Sequence, residues 1–274
     1  MIEDIIRLDM LVFNKNIATS REKAREYIIS GKILVNGSVE RKCGRKVKKD
    51  ATIEMIGDAI PYVSRGGLKL EKAIKSFKID LKNNTCIDIG ASTGGFTQCM
   101  LEFGASKVYA IDVGSNQLAT VLLNDDRVIS MENTNIRTLK YEQIGEKCDF
   151  ASIDVSFISL DKVVPNVLNL IKDQGQVVAL IKPQFEVGRG KVSKKGVVKD
   201  PSLHIEVIYK FVTFLKENNI KIMGLDFSSI KGPNGNIEYL IYFTKDSKII
   251  ESFNTSYISD VVYKSHKELN SEEV

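Results

Sequence analysis

Four polar residues, far apart in the chain, fall at or near the ends of apolar or helical segments, where a site could form: Lys69, Asp154, Lys182 and Glu238. Lys182 follows the apolar run Val177–Ile181, and Asp154 follows another at 149–153. Glu238 comes directly after Gly235-Asn236-Ile237, at the start of a further apolar segment. Lys69 lies in a helical segment that leads into an earlier apolar strand, near 85–89. Singly, each would be an ordinary solvated charge. Gathered at one cleft, two amines and two carboxylates can balance charge and move a proton. An amine that becomes neutral in such a cleft is a general base.

A second chemical signal is Cys86-Ile87-Asp88-Ile89-Gly90-Ala91-Ser92-Thr93-Gly94-Gly95-Phe96-Thr97, an apolar strand running into a glycine-rich turn and then a helix. Glycines let a backbone approach a ligand closely. The next strand ends Tyr109-Ala110-Ile111-Asp112, which places a carboxylate where ribose hydroxyls could donate to it. Dinucleotide binding calls for G-x-G-x-x-G around a pyrophosphate. Here the spacing is Gly90-x-x-x-Gly94-Gly95, with Ser92 in the middle. This pattern resembles the class I methyltransferase motif. The resemblance implies S-adenosylmethionine as cofactor, with Asp88, Gly90, Ser92, Gly94, Gly95, Phe96, Thr97 and Asp112 around it. Such a cofactor has no pyrophosphate, which suits the looser turn.

These residues need a scaffold. From Ser64 onward, apolar strands near 85–89, 107–112, 127–131, 149–153, 176–181, 220–228 and 237–244 alternate with helical segments. The helices fall near 67–77, 94–103, 116–123, 161–171 and 201–217. Asp200-Pro201 fits the N-cap and first position of the last helix. Alternation of this kind predicts an α/β fold, an open, mostly parallel sheet with helices on both faces. Open sheets of this class bind ligands at the carboxyl ends of their strands. Asp154 and Lys182 should therefore face the cleft that the glycine turn borders. The expected organisation is a module at 1–57, a linker at 58–63, an α/β domain at 64–245 and a tail at 246–274. The tail carries a weak helical pattern (Ile258, Val261, Val262, Leu269) with no assigned role.

The charge distribution is uneven. Residues 1–57 hold 12 Lys+Arg and 8 Asp+Glu, so the whole net charge of +4 sits there. A local basic footprint is what nucleic-acid binders carry. Thr19 and Glu22 fit a capping box for a helix bearing Arg21 and Arg25 on one face, which Gly31 ends. Ile33-Leu34-Val35 reads as a strand, Asn36-Gly37 as a hairpin turn, and a basic loop follows. The order, and the stretch "SREKAREYIISGKILVNGSV", resembles the S-four RNA-binding domain over roughly residues 5–56. The implied RNA contacts are Arg7, Arg21, Arg25, Lys32, Lys42, Arg45 and Lys46, with Arg65 and Arg189 beyond the module. Binding of this kind should depend on salt and read shape more than sequence.

Two missing motifs bear on the acceptor. Methylation of exocyclic base amines usually uses Asn/Asp-Pro-Pro-Tyr/Phe after the fourth strand; this chain has Asp154-Val155-Ser156-Phe157. Methylation of cytosine carbon needs a nucleophilic cysteine, commonly after proline, and none of the four cysteines follows one. Both departures move the expectation toward an oxygen acceptor. The set Lys69, Asp154, Lys182, Glu238 matches the Lys-Asp-Lys-Glu tetrad of the ribose-methylating FtsJ family. The words "SRGGLKLEKA", "DIGASTGGFT", "DVSFISL", "KPQFEVGRG" and "GNIEYL" resemble the TlyA family along nearly the whole chain. That resemblance implies 2′-O-methylation of cytidine in ribosomal RNA, with ribosomal RNA or ribosomal subunits as partner. Lys182 is then the expected base, with Lys69 across from it as a second cation that favours its neutral form. A glycine-rich basic loop, 188–196, follows Lys182 and could close over RNA.

Rival readings are a pseudouridine synthase, since such enzymes also carry S-four modules, and a non-catalytic RNA-binding or assembly factor. The first has no use for the turn at 90–95; the second has none for Lys182. Membrane lysis, suggested by the hemolysin names of relatives, finds no apolar run of about 20 residues to support it. The widely spaced Cys43, Cys86, Cys99 and Cys148 suggest neither zinc nor disulfides, and a reduced cytoplasmic protein is expected. Nothing in the sequence sets an oligomeric state.

Overall fold

The computed structural model describes residues 4–18, 20–56, 61–188, 190–193 and 195–270. The chain divides into two compact units between Arg65 and Gly66.

The first unit is α+β. Strand β1 (Ile5–Arg7) leads into helix α1 (Leu8–Asn14), and helix α2 (Arg21–Ile29) follows. Strands β2 (Ile33–Val35), β3 (Ser38–Val39), β4 (Lys46–Lys48) and β5 (Ile53–Met55) complete it. β1 pairs with β4, and β2 sits between β3 and β5, all antiparallel. Leu8, Leu11, Val12, Ala24, Tyr27, Ile28 and Ile33 form its core. Asn36 and Gly37 both take positive φ, 50° and 78°, as the hairpin requires. The cap of α2 is Ser20, whose side chain accepts from the Lys23 N–H; Thr19, expected in that role, lies outside the described residues. Helix α1 was not expected. Its apolar residues Leu8, Leu11 and Val12 lie at helical spacing, but the segment is only two turns long.

The second unit is a seven-stranded sheet with helices on both faces. Its elements, in chain order, are α3 (Gly67–Phe77), β6 (Thr85–Ile89), α4 (Gly95–Glu102), β7 (Lys107–Ile111), α5 (Thr120–Leu123) and β8 (Val128–Met131). Then come α6 (Tyr141–Ile144), β9 (Cys148–Ile153), α7 (Val164–Leu170), β10 (Ile171–Ile181) and α8 (Pro183–Glu186). Last are α9 (Pro201–Glu217), β11 (Lys221–Phe227), β12 (Tyr239–Thr244) and α10 (Tyr257–Asn270). The strand order is β11-β12-β10-β9-β6-β7-β8, with β12 antiparallel to both its neighbours and the other pairings parallel. This is the mostly parallel, Rossmann-like sheet that the sequence led us to expect. β6 lies inside the sheet, with β7 on one side and β9 on the other, so the order reverses there and opens a crevice at the strand ends.

The strands are apolar on both faces because helices cover both. Ile87, Ile89, Ile153, Val177, Ala179 and Ile181 are buried in the main core. The tail pattern forms α10, which buries Ile258, Val261, Val262 and Leu269. Among the described residues, no helix is long and apolar enough to cross a membrane.

Candidate active site

Strands β6, β7, β9 and β10 each end in a buried isoleucine: Ile89, Ile111, Ile153 and Ile181. The next residue in each case is Gly90, Asp112, Asp154 or Lys182. Because the strands are parallel and in register, with Ile89 opposite both Ile111 and Ile153, these residues gather along one edge of the sheet.

The tetrad residues come together there. Lys69 Nζ lies 2.6 Å from Glu238 Oε2 and 3.9 Å from Asp154 Oδ2. Lys182 Nζ lies 2.5 Å from Asp154 Oδ1 and donates to Ser156 Oγ at 3.2 Å. The charges therefore alternate in a row: Glu238, Lys69, Asp154, Lys182. Burial alone would raise the Asp154 carboxyl, but the charges of Lys69 and Lys182 outweigh it and hold the group below its usual range. The expected facing of two cations is corrected by this arrangement. Asp154, just after β9, lies against both lysines, and Glu238 further neutralises Lys69. Glu238 is fully buried, and a Cβ on Gly232 would stand 2.1 Å from its Oε1. Only glycine leaves room for the carboxylate.

The glycine turn is built for close approach. Gly90 has φ +83°, and a Cβ there would lie 2.3 Å from the Asp154 carbonyl oxygen, so any side chain would push the turn off β9. Gly94 has φ +98° at the start of α4, and Ser92, at φ +48°, holds a left-handed conformation without being glycine. Asp112 fixes that conformation by accepting from the Ser92 N–H at 2.8 Å, and it also accepts from the Gly114 N–H at 2.7 Å.

Three residues expected at the cofactor turn inward. Asp88 is fully buried and accepts from Thr97 Oγ1 at 2.7 Å and Ser152 Oγ at 2.9 Å. Burial pushes its carboxyl up to about 6, against the pull of those two hydroxyls. Thr97 and Phe96 are buried with it. Their side chains hold the turn against β6 and β9 and do not line its open side.

Sequence reasoning missed three residues at this edge. Ser156 holds the Lys182 amine, as above. Phe157 is 90 % exposed and has φ +63°, a costly conformation for an aromatic residue. Its ring lies 4.8 Å from that of Phe185, whose centroid is 5.8 Å from Lys182 Nζ. Glu132, just beyond β8, accepts from the N–H groups of Asn116, Gln117 and Leu118 at 2.5, 2.8 and 3.2 Å and fixes the loop after Asp112. The word around Ser156 and Phe157 was visible in the sequence; the backbone conformation that exposes the ring was not.

In the first unit, Arg7 and Arg21 pair with Asp9 at 2.9 and 3.1 Å. Arg25, Lys42, Arg45 and Lys46 are exposed, Arg45 in an ion pair with Glu40, and Lys32 is half-buried. Arg65 is half-buried, with its backbone N–H and charge directed to Glu26. Arg189 lies outside the described residues.

The FtsJ-like methyltransferase family matches residues 62–245, and the S4 (S-four) domain matches residues 6–53. The chain belongs to the FtsJ-like methyltransferase family. The methyltransferase has relatives that match over most of both chains. One is Bacillus subtilis YqxC, provisionally named an rRNA methyltransferase, 45% identical over 86% of this chain and 84% of its own length. Another is the 16S/23S rRNA (cytidine-2'-O)-methyltransferase TlyA of Mycobacterium tuberculosis, 39% identical over 86% of this chain and 88% of its own. A solved structure of a provisionally named hemolysin from Streptococcus thermophilus superposes with a TM-score of 0.79 at 41% identity, covering 99% of both chains. The methyltransferase is thus similar, over most of its length, to proteins that carry either name.

Proposed function

We propose that this methyltransferase transfers the methyl group of S-adenosylmethionine to the 2′-hydroxyl of a cytidine ribose in ribosomal RNA. The observation that carries the reading is the row Glu238–Lys69–Asp154–Lys182, closed by contacts of 2.6, 3.9 and 2.5 Å beside the glycine turn. The name of the Mycobacterium tuberculosis relative supports the choice of acceptor.

The residues at the turn fit the cofactor. Gly90 and Gly94 keep side chains off the approach, Asp112 sets a carboxylate where ribose hydroxyls can donate, and Val113 beside it is 71% exposed and apolar. Asp88 and Thr97 act by bracing the turn. The cofactor supplies an electrophilic methyl group on a sulfonium; the chain supplies placement and the base.

A ribose hydroxyl is a weak acid, and its proton must leave as the methyl group arrives. Lys182 sits at the open end of the row, held by one carboxylate and one hydroxyl, whereas Lys69 is enclosed between two carboxylates. Lys182 in its neutral form takes the 2′-hydroxyl proton through Nζ. Asp154 and Ser156 aim that amine, and Asp154 stabilises the ammonium formed as the proton arrives. Lys69 and Glu238 fix Asp154 in turn. Transfer then depends chiefly on alignment of the reacting atoms. The S4 domain and the basic residues around it hold the RNA.

The test is methyl transfer in vitro. Ribosomal RNA lacking the modification, incubated with the protein and isotopically labelled S-adenosylmethionine, should yield labelled 2′-O-methylcytidine on nuclease digestion and mass spectrometry. Label on a base, or no label with intact cofactor and RNA binding, would overturn the reading.

A further inference from the structure

Among the described residues of the basic first unit, Asp9 is the one fully buried acid, and it binds two arginines at once. Arg7 donates to it through Nε and Nη2 at 3.0 and 2.9 Å, a two-point fork. Arg21 donates through Nε and Nη2 at 3.3 and 3.1 Å. The side chains of Arg7 and Arg21 remain 49% and 45% exposed while the Asp9 side chain is wholly covered. Both arginines stand at helix starts. Arg7 immediately precedes α1, and Arg21 is the first residue of α2. A further contact limits Arg7: a Cβ on Gly44 would lie 3.3 Å from its Nη1, so glycine there lets the guanidinium lie against the 43–45 loop. Leu8 and Asp9 tie that loop down through their N–H groups, which donate to the carbonyls of Arg45 and Cys43 at 2.8 and 3.1 Å.

We infer that Asp9 is a positioning residue for RNA. It fixes two guanidiniums as a preformed clamp for one backbone phosphate. The inference rests on the reading above that this protein binds ribosomal RNA. Each arginine has five N–H donors and spends its Nε–Nη2 edge on Asp9. The Nη1 groups of both point to no other protein acceptor among the described residues. Two positive charges and one negative leave a single net positive charge, which one phosphodiester balances. Long cationic side chains normally lose rotamer freedom when they grip a ligand, at a cost for each. Here the buried carboxylate has already fixed both, and the two-point geometry suits Arg and not Lys.

The inference makes a prediction whose sign is opposite to that of simple charge attraction. Asp9→Asn removes a negative charge from a basic face. If attraction alone governed binding, RNA would bind more tightly. If Asp9 sets the clamp, RNA should bind about fivefold more weakly or worse. The log–log salt dependence should also flatten by about 0.7–0.9, the loss of one phosphate contact. Asp9→Asn could disturb folding, so Arg7→Lys and Arg21→Lys provide a second arm. Both conserve charge and lose the fork, and each should weaken binding by a similar factor.

The measurement is titration of the full-length protein with ribosomal RNA and with a plain RNA duplex at several salt concentrations. Circular dichroism melts of every variant accompany it. Equal or tighter binding by Asp9→Asn with a wild-type melt would overturn the clamp, as would wild-type affinity in both lysine variants. If Asp9→Asn melts early, the lysine variants decide. If the wild-type protein bound neither RNA, the RNA reading itself would fall, and the clamp with it.

Discussion

Replacing Lys69 by methionine and Glu238 by glutamine, separately and together, measures how far the row of charges is a single unit. Both side chains are almost wholly covered, Lys69 at 7% and Glu238 at 0%. Breaking a buried ion pair from one side typically costs about 3–5 kcal/mol, because it strands the other charge. The structure ranks the two single changes. Glu238→Gln leaves Lys69 with Asp154 at 3.9 Å, so the loss should fall near the low end, about 3 kcal/mol. Lys69→Met leaves the Glu238 carboxylate at full burial with no other cation against it in the row, so the loss should approach about 5 kcal/mol. The double variant strands neither, and its loss should be about 2 kcal/mol or less, well below the sum of the singles. The chain has no tryptophan, so urea unfolding is best followed by circular dichroism. Additivity of the two losses within about 0.5 kcal/mol would refute the argument that these residues act as a coupled pair.

Other outcomes follow from the same geometry. Burial raises the Asp88 carboxyl to about 6, so its contribution to stability is full below about pH 4 and lost as pH rises through 6; Asp88→Asn should remove roughly 2–3 kcal/mol of that slope. Unfolding curves for wild type and variant that stay parallel from pH 4 to 7 would contradict this. Asp112→Ala frees the Ser92 and Gly114 N–H groups and removes the proposed ribose acceptor. S-adenosylmethionine affinity should fall by about 1.5–3 kcal/mol in calorimetry, and unchanged affinity would remove the assignment. Gly90→Ala sets a methyl group against the Asp154 carbonyl at a positive φ, so it should weaken cofactor binding at least tenfold, or about 1.4 kcal/mol. A normal binding isotherm would show that the turn has more room than the structure gives it.

Much of this was legible before any coordinates. The strands that border the candidate site fell close to their expected places because each is an apolar run that stops at a polar or glycine residue. That same stop, an isoleucine followed by Gly90, Asp112, Asp154 or Lys182, is what marks the cleft edge. The bounds of β10 were read less well: the strand starts at Ile171, with its register shifting between Ile171 and Gln176, which apolar periodicity could not reveal. The inward turn of Asp88 and Thr97 was also hidden, since a carboxylate in a cofactor motif looks the same whether it meets a ligand or two neighbouring hydroxyls. The alternation of charge in the tetrad depends on the strand order β12-β10-β9, which brings Glu238, Lys182 and Asp154 to one edge, and on helix α3, which sets Lys69 between Glu238 and Asp154; no local spacing encodes either. Asp9 escaped notice for a related reason. In the sequence it is one acid among many cations, and only the meeting of two helix starts gives it two arginines to hold. Phe157 stood in the sequence only as the last residue of the word after Asp154, and nothing there marked the positive φ at that residue.

The central claim is that Lys182 removes the proton from the accepting hydroxyl, and one substitution separates it from a purely structural role. Lys182→Arg keeps the charge beside Asp154, 2.5 Å away in the native pair, but a guanidinium cannot give up its proton in a protein. The measurement is single-turnover methylation of ribosomal RNA by wild type, Lys182→Ala and Lys182→Arg, each first confirmed to bind cofactor and RNA. The account predicts that both variants lose roughly a hundred- to ten-thousand-fold in rate, the worth of a positioned general base. Near-normal turnover by Lys182→Arg would contradict it and make Lys69 the next residue to test.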